Sequence, residues 1–198
     1  MKNLNARERI LQTAIKIFAE KSFEGSRIDE IAREAKVPKS LIYYHFKSKD
    51  EILEVLTTNF INEYLRIIAA KPGETHKEKA AEIPDRMKNV YYDFGQKNAD
   101  LLRVILIDSL KKFKDTPVLF KIVEAMIDKE KETANTQNYD IQERRIAEFF
   151  TSFIPMYAYL CFADSWTKYF NIGRKEFDNL FLKAYLETHG AYHKNHDS

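Results

Sequence analysis

Four residues near position 40 place hydrogen-bond donors and positive charge on a stretch of chain without acidic side chains. They are Lys39, Ser40, Tyr43 and Tyr44, and from Val37 to Lys49 the sequence holds three lysines and a histidine but no Asp or Glu. Ammonium and hydroxyl groups donate to anionic oxygens, and they are typical contacts of nucleic-acid phosphates. The stretch therefore predicts a surface that binds a polyanion.

The charge distribution along the chain supports this interpretation. The 198 residues have a net charge of +2, but residues 1–50 hold 11 Lys/Arg and 7 Asp/Glu, whereas residues 51–198 hold 21 and 23. The first part is thus +4 and the second −2. Such an offset favours a polyanion partner for the first part, although a difference of six charges is a weak signal by itself.

Other chemistry-bearing residues do not form a catalytic pattern. The sequence shows no Ser/His/Asp or Cys/His arrangement and no glycine-rich phosphate loop. The single cysteine, Cys161, excludes an intramolecular disulfide. His189 and His193 are four residues apart and could share a metal ion, with His196 beyond, but no Cys or carboxylate at convincing spacing completes a site. We therefore predict no metal site, no cofactor and no enzymatic activity.

The hydrophobic pattern predicts an all-α protein of about nine helices. Only 5 Gly and 5 Pro occur, and no window alternates with period two. Apolar spacing places a first helix at 6–21, a short second helix at 27–35, a third from Pro38 to Phe46 and a long fourth at 49–70. A longer segment, 140–171, is also helical by this criterion.

Local signals mark where these helices begin and end. Ser26–Asp29 and Ser48–Glu51 have the spacing of capping boxes, with Ser26 and Ser48 as the N-caps. Pro155 predicts a bend in the long C-terminal segment, and Gly173 predicts its end.

The first three helices satisfy the requirements of a helix-turn-helix unit. Along the third helix, Ile42 and Phe46 share one face and can be buried against the first helix. Lys39, Ser40, Tyr43 and Tyr44 then point outward, and the N-terminal end of such a helix usually contacts base edges in the major groove.

The residues from Ser26 to Leu53 resemble the DNA-binding segment of the tetracycline-repressor (TetR/AcrR) family. The similarity covers roughly residues 6–56 and includes the family's pattern at Ile31, Ala32, Val37, Tyr43, Phe46, Lys47 and Lys49. The remainder resembles the family in its length and helical layout. The resemblance implies a DNA-binding domain at 1–48 and a helical effector-binding and dimerisation domain at 49–198.

The resemblance also implies roles for individual residues. It implies phosphate contacts for Ser26, Tyr43, His45 and Lys49, positions nearest the bases for Lys39, Ser40, Leu41 and Tyr44, and flanking DNA contacts for Arg27 and Lys47. Two positions depart from the family pattern. Lys36 stands at the turn position usually held by glycine, and Leu41 stands where a small polar residue is common.

Aromatic and apolar residues of the second domain are candidates for two further sites. Those predicted to line an effector pocket are Tyr91, Phe94, Leu106, Met126, Phe153, Tyr157 and Trp166. Those predicted to form a dimer interface are Tyr159, Phe162, Phe177, Phe181 and Tyr185. Burial in the subunit's own core is the alternative for most of them.

Together these features predict a ligand-responsive transcriptional regulator, a repressor that binds a near-palindromic double-stranded operator as a homodimer. A small, mostly apolar effector would release it. The longest uncharged run, Phe149–Ala163, is too short to span a membrane, so we expect a cytoplasmic protein without a membrane partner. An effector-independent DNA-binding regulator remains an alternative, and a helical-bundle carrier or enzyme is a more remote one.

Overall fold

Every regular element in the described part of the chain is helical. A computed structural model describes residues 5–68, 94–111, 117–133 and 140–196, and no strand occurs among them, which confirms the predicted all-α class. The α-helices are α1 (Ala6–Gly25), α2 (Ile28–Glu34), α3 (Lys39–His45), α4 (Lys49–Ile68), α5 (Gly95–Lys97), α6 (Ala99–Lys111), α7 (Val118–Thr133), α8 (Ile141–Ala147), α9 (Ile154–Phe170), α10 (Arg174–Tyr185) and α11 (Ala191–His196). Two π-helical segments, Glu148–Phe153 and Leu186–Gly190, join α8 to α9 and α10 to α11.

The helices form two compact units. The N-terminal unit combines Met1–Asn62 with Asp100–Val118, and the C-terminal unit combines Glu63–Ala99 with Leu119–Ser198. This division falls inside α4, whereas the predicted functional boundary lies at residue 48, where α4 has not yet begun. Helix α4 therefore contributes residues to both units.

Helix α1 begins at a capping box and ends shortly after a residue with non-helical backbone angles. The side chain of Asn5 accepts from the Glu8 N–H at 2.9 Å, and the Glu8 carboxylate accepts from the Asn5 N–H at 3.0 Å. Ser22 leaves the helical region (φ 65°, ψ 162°), so the last turn to Gly25 follows a kink. The predicted end at residue 21 coincides with this kink.

One of the two predicted capping boxes is wrong, and the other keeps the bond to Ser48 Oγ but takes its return bond from Lys47 N–H instead of Ser48 N–H. Ser26 is not an N-cap, because its hydroxyl donates to the Phe23 carbonyl at 2.6 Å and so belongs to the end of α1. Arg27 takes the N-cap position of α2 without a side-chain bond. At the start of α4, Ser48 Oγ accepts from the Glu51 N–H at 3.1 Å, and the Glu51 carboxylate accepts from the Lys47 N–H at 2.5 Å.

The turn between α2 and α3 requires a left-handed residue, and this sequence supplies a lysine there. Lys36 has φ 55°, its N–H donates to the Arg33 carbonyl, and the Val37 N–H donates to the Ala32 carbonyl. These bonds are those of a helix C-terminus that normally carries glycine, because a Cβ is crowded in this conformation.

The segment Ile141–Phe170 is continuously helical, and its middle is π-helical. Pro155 lies in the first turn of α9, directly after the π-helical segment, where its missing N–H disturbs the hydrogen-bond pattern least. The whole segment has 30 residues and a window of mean hydropathy 1.4, which by length and composition would suit a membrane span. It also carries Arg144 and Glu148, both buried in the C-terminal unit, as in the core helix of a folded domain.

The end of α9 differs from the prediction. Asn171, not Gly173, adopts the left-handed conformation (φ 50°, ψ 46°) that ends the helix, which asparagine tolerates better than most residues. Gly173 has extended backbone and precedes α10. Helices α9 and α10 then pack together through Tyr159, whose ring stacks on Phe181 with centroids 4.5 Å apart.

Replacing Lys36 by glycine is expected to raise the free energy of unfolding by about 0.5–1 kcal/mol. The left-handed lysine costs roughly 1–2 kcal/mol, and the greater freedom of glycine in the unfolded chain offsets part of the gain. Chemical denaturation of both proteins measures the difference. Lys36→Ala is the matched control, since it removes the same charge but keeps the Cβ; an equal gain there would assign the effect to charge.

Candidate nucleic-acid interface

The recognition surface is created by burying the opposite face of α3. Ile42 is fully buried and Phe46 nearly so, together with Ile31 of α2 and Ile10 of α1. The guanidinium of Arg7 covers the Phe46 ring at 5.3 Å. The three helices contact one another in pairs, which is the arrangement of a helix-turn-helix with its supporting helix.

The four residues predicted to point outward from α3 do so. Tyr44 is 81% exposed and Tyr43 51%, and Lys39 and Ser40 are exposed as well. Among the other predicted DNA contacts, Arg27 and Lys47 are exposed, whereas Leu41 and His45 are half-buried. The donors thus occupy one continuous side of a short helix.

Lys39 is engaged in an ion pair at the edge of this surface. Its Nζ lies 2.7 Å from Oδ1 of Asp29, the second residue of α2. The hydrogen bond to Asp29 raises the pKa of Lys39 above its usual range. The ammonium also lies 6.0 Å from the centre of the Tyr43 ring. A phosphate or base that engages Lys39 must compete with the Asp29 carboxylate.

The side chains of Ser26 and Lys49 both donate hydrogen bonds to backbone carbonyls of the protein. The Ser26 side chain is buried, and Lys49 Nζ donates to the Phe23 carbonyl at 2.5 Å and to the Ser26 carbonyl at 3.1 Å. The same ammonium lies 4.4 Å from the centre of the Phe23 ring. Lys49 therefore closes the C-terminal end of α1. Sequence reasoning missed this role because no local pattern connects residues that far apart.

The predicted effector-pocket residues separate into several places. Phe94, Met126, Phe153 and Tyr157 are buried in the C-terminal unit, and Phe94 and Phe153 flank the Tyr64 ring at centroid distances of 6.2 and 6.3 Å. Leu106 belongs to the N-terminal unit, and Tyr91 lies outside the described residues. Trp166 is 49% exposed on α9, beside Phe170 and Phe177 rather than beside Phe153.

Tyr157 is the polar member of this buried group. Its hydroxyl is buried and has no hydrogen-bond partner among the described residues. Burial raises the pKa of Tyr157 far above its ordinary value, so the phenol stays neutral. An unpaired buried hydroxyl is costly, and a ligand with one polar atom would satisfy it.

The predicted dimer residues are also divided between surface and core. Phe162 is exposed, and Phe177 and Phe181 are half-buried. Tyr159 and Tyr185 are buried in the core between α9 and α10, because each ring packs on Phe181 and each hydroxyl has a partner within the subunit. Any part that these two tyrosines take in a subunit contact is therefore indirect.

The N-terminal unit resembles known regulators in sequence. The model of the family "Bacterial regulatory proteins, tetR family" matches residues 10–56. The HTH-type negative transcriptional regulator IcaR of the biofilm operon icaADBC from Staphylococcus epidermidis is 30% identical over 59 residues, which are 30% of this chain and 32% of that protein. The IcaR protein of Staphylococcus aureus (strain Newman) is 40% identical over 48 residues, 24% of this chain and 26% of the relative. The chain thus matches about a third or less of the length of these relatives.

Solved structures resemble the chain over most of its length. The fatty acid degradation regulator FadR from Bacillus halodurans superposes with a TM-score of 0.60 over 94% of this chain and 97% of its own, at 15% identity. A TetR-like transcriptional regulator from Rhodococcus sp. RHA1 gives a TM-score of 0.55 over 91% and 93%, at 16% identity. These similarities concern the fold alone. The sequence match to the tetR family of bacterial regulatory proteins is confined to residues 10–56, the helix-turn-helix and the start of α4.

Proposed function

We propose that the protein is a DNA-binding transcriptional repressor that acts as a homodimer on a near-palindromic operator. The observation that carries this proposal is the exposed donor face of α3, presented by a helix-turn-helix of the TetR type. Two copies of α3 would enter successive major grooves, so the symmetry of the operator would mirror that of the dimer. A repressor of this kind needs no catalytic activity, and we expect the protein to act in the cytoplasm.

Within this proposal the α3 surface has two kinds of contact. Ser40 and Leu41 lie at the N-terminal end of α3, from which base edges are read. Arg27, Tyr43 and Lys47 would hold phosphates and fix the position of the protein without specifying sequence. Lys49 would act chiefly by holding α1 in place, since its donors already point at carbonyls of the chain.

Exposed aromatic side chains on α9 support the proposed dimer. Four aromatic side chains of α9 are about half exposed or more: Phe162, Trp166, Tyr169 and Phe170. Leu180 of α10 is exposed as well. Clustered large apolar side chains on a surface mark an interaction site. A second copy of the chain would cover them, with α9 and α10 of each subunit in contact.

The effector proposed for the C-terminal unit is small and mostly apolar with one polar atom. The apolar walls would come from Phe94, Met126 and Phe153, and the polar atom would meet the Tyr157 hydroxyl. Such a ligand releases the operator only if it binds the conformation with low DNA affinity more tightly. Helix α4 contributes to both units and is the proposed route of coupling.

Lys47→Ala is expected to weaken binding to all duplexes about equally, whereas Ser40→Ala is expected to change sequence preference. Loss of one phosphate contact lowers the slope of log K against log salt by about 0.9. Fluorescence anisotropy with the DNA upstream of the protein's own gene and with random duplex, at several salt concentrations, measures both effects. Lys183→Ala, an exposed lysine on α10, is the matched control and should change neither. A salt-independent affinity of the unmodified protein would contradict DNA binding through phosphates.

Asp29→Asn is expected to strengthen DNA binding by about two- to fivefold. The substitution frees Lys39 from its ion pair and removes a negative charge beside the surface proposed to enter the groove. The expected gain is small because surface ion pairs of this kind contribute little free energy. The same anisotropy titration measures the change. Glu176→Gln on α10 makes the same change in net charge and should leave affinity unaltered. Weaker binding of Asp29→Asn would mean that the carboxylate orients Lys39 for DNA.

Effector response is tested by screening small apolar molecules for compounds that raise the melting temperature and release the DNA. We expect Tyr157→Phe to weaken the response to such a compound while leaving DNA affinity in its absence unchanged. A stabilising compound that leaves the operator bound would favour an effector-independent regulator.

A further inference from the structure

Three side chains able to bind a metal ion meet inside the C-terminal unit. They are Glu148, His189 and His193, and their ligand atoms lie within 4.8 Å of one another. The two histidine Nε2 atoms are 3.0 Å apart. His193 Nε2 lies 3.2 Å from Glu148 Oε1, and His189 Nε2 lies 3.7 Å from Glu148 Oε2. Sequence spacing could not identify this set, since the carboxylate comes from a distant part of the chain.

The two separations from His193 Nε2 are close to those between ligands of one tetrahedral ion. Zinc binds histidine nitrogen and carboxylate oxygen at about 2.0–2.2 Å, so two ligand atoms of a tetrahedral site lie about 3.3 Å apart. His193 Nε2 lies 3.0 Å from His189 Nε2 and 3.2 Å from Glu148 Oε1, close to that value, whereas His189 Nε2 lies 3.7 Å from the other carboxylate oxygen, Oε2. Two histidines and a glutamate with a fourth position left open form a known zinc ligand set.

The hydrogen bond at His189 Nδ1 directs Nε2 towards the other two side chains. The Thr151 hydroxyl donates to the Ala147 carbonyl at 2.6 Å, so its oxygen accepts from His189 Nδ1–H at 2.9 Å. Nε2 of His189 therefore carries a lone pair and faces Glu148 and His193. A second hydrogen bond that fixes the ring of a ligating histidine is usual in metal sites.

Glu148 is a buried carboxylate whose Oε1 lies 3.3 Å from Arg144 Nε and 3.2 Å from His193 Nε2. The residue is 2% exposed, and its Oε1 makes no well-formed hydrogen bond to any described residue. A cation bound among these atoms would satisfy this oxygen.

Both π-helical segments contribute to the arrangement. Glu148 is the first residue of one segment and His189 lies in the other, with His193 one turn further along α11. Single π-helical turns often occur at functional sites, because the wider turn changes the direction of its side chains. The two segments contact each other, which brings their ligands together.

We propose that Glu148, His189 and His193 bind one Zn²⁺ ion per chain, with a water molecule or an external ligand in the fourth position. His193 is 19% exposed and provides access from solvent. Its Nδ1 lies 3.2 Å from Arg144 Nη1, and on metal binding this nitrogen carries the ring proton. Zinc binding through Nε2 would therefore break the contact between Arg144 Nη1 and His193 Nδ1.

The first experiment is a titration of the full-length protein with Co²⁺ and Zn²⁺ after treatment with chelator and dialysis. We expect one Co²⁺ per chain with the intense visible absorption of four-coordinate cobalt, displacement of that signal by Zn²⁺, and a rise in melting temperature with either ion. A protein that gives no four-coordinate cobalt spectrum overturns the proposal and leaves a buried ion-pair network of Arg144, Glu148 and the histidines.

Variants then locate the site. Glu148→Gln, His189→Gln and His193→Gln are each expected to lower Zn²⁺ affinity at least about tenfold. Glu187→Gln, an exposed carboxylate in the same π-helical segment as His189, and His196→Gln are the matched controls and should retain the affinity. Far-ultraviolet circular dichroism in chelator checks folding, and His193→Gln, the most exposed ligand, is the mildest change. A loss in His196→Gln as large as in Glu148→Gln would place the ion at the C-terminal histidines and overturn the proposal.

Discussion

The N-terminal unit depends on the burial of one face of a seven-residue helix. Alone, α3 is too short to be stable, because isolated helices of this length are marginal in water. Ile42 and Phe46 hold it against α1 and α2, and their burial forces the donors of the opposite face into solvent. The same apolar contact therefore provides stability and presents the surface proposed to bind DNA.

Polar contacts modify the exposed surface of α3, but the burial of Ile42 and Phe46 is what creates it. Lys49 closes the end of α1 through carbonyls that lie far from it in sequence, and the Asp29 carboxylate holds Lys39 beside α2. The left-handed Lys36 shows that the turn keeps its geometry even where the residue is unfavourable. Packing of the three helices outweighs a local cost of about 1–2 kcal/mol.

The C-terminal unit combines an apolar interior with a small buried polar group. Tyr64, Phe94 and Phe153 pack ring against ring, whereas Glu148, His189 and His193 concentrate charge and nitrogen ligands between two π-helical segments. A buried carboxylate needs compensation, and here Arg144 and the histidines provide part of it. The convergence of these three ligand groups is the physical basis for the zinc proposal.

The sequence by itself determined the helical class, the outward face of α3 and the unfavourable turn at Lys36, since each follows from periodicity or from one local conformation. Only the tertiary structure decided that Ser26 and Lys49 bind carbonyls of the chain, that Tyr159 and Tyr185 lie in the subunit core, and that Glu148 meets two distant histidines. These depend on contacts between residues far apart in sequence. A local pattern reports which face of a helix is apolar, but not which element covers it.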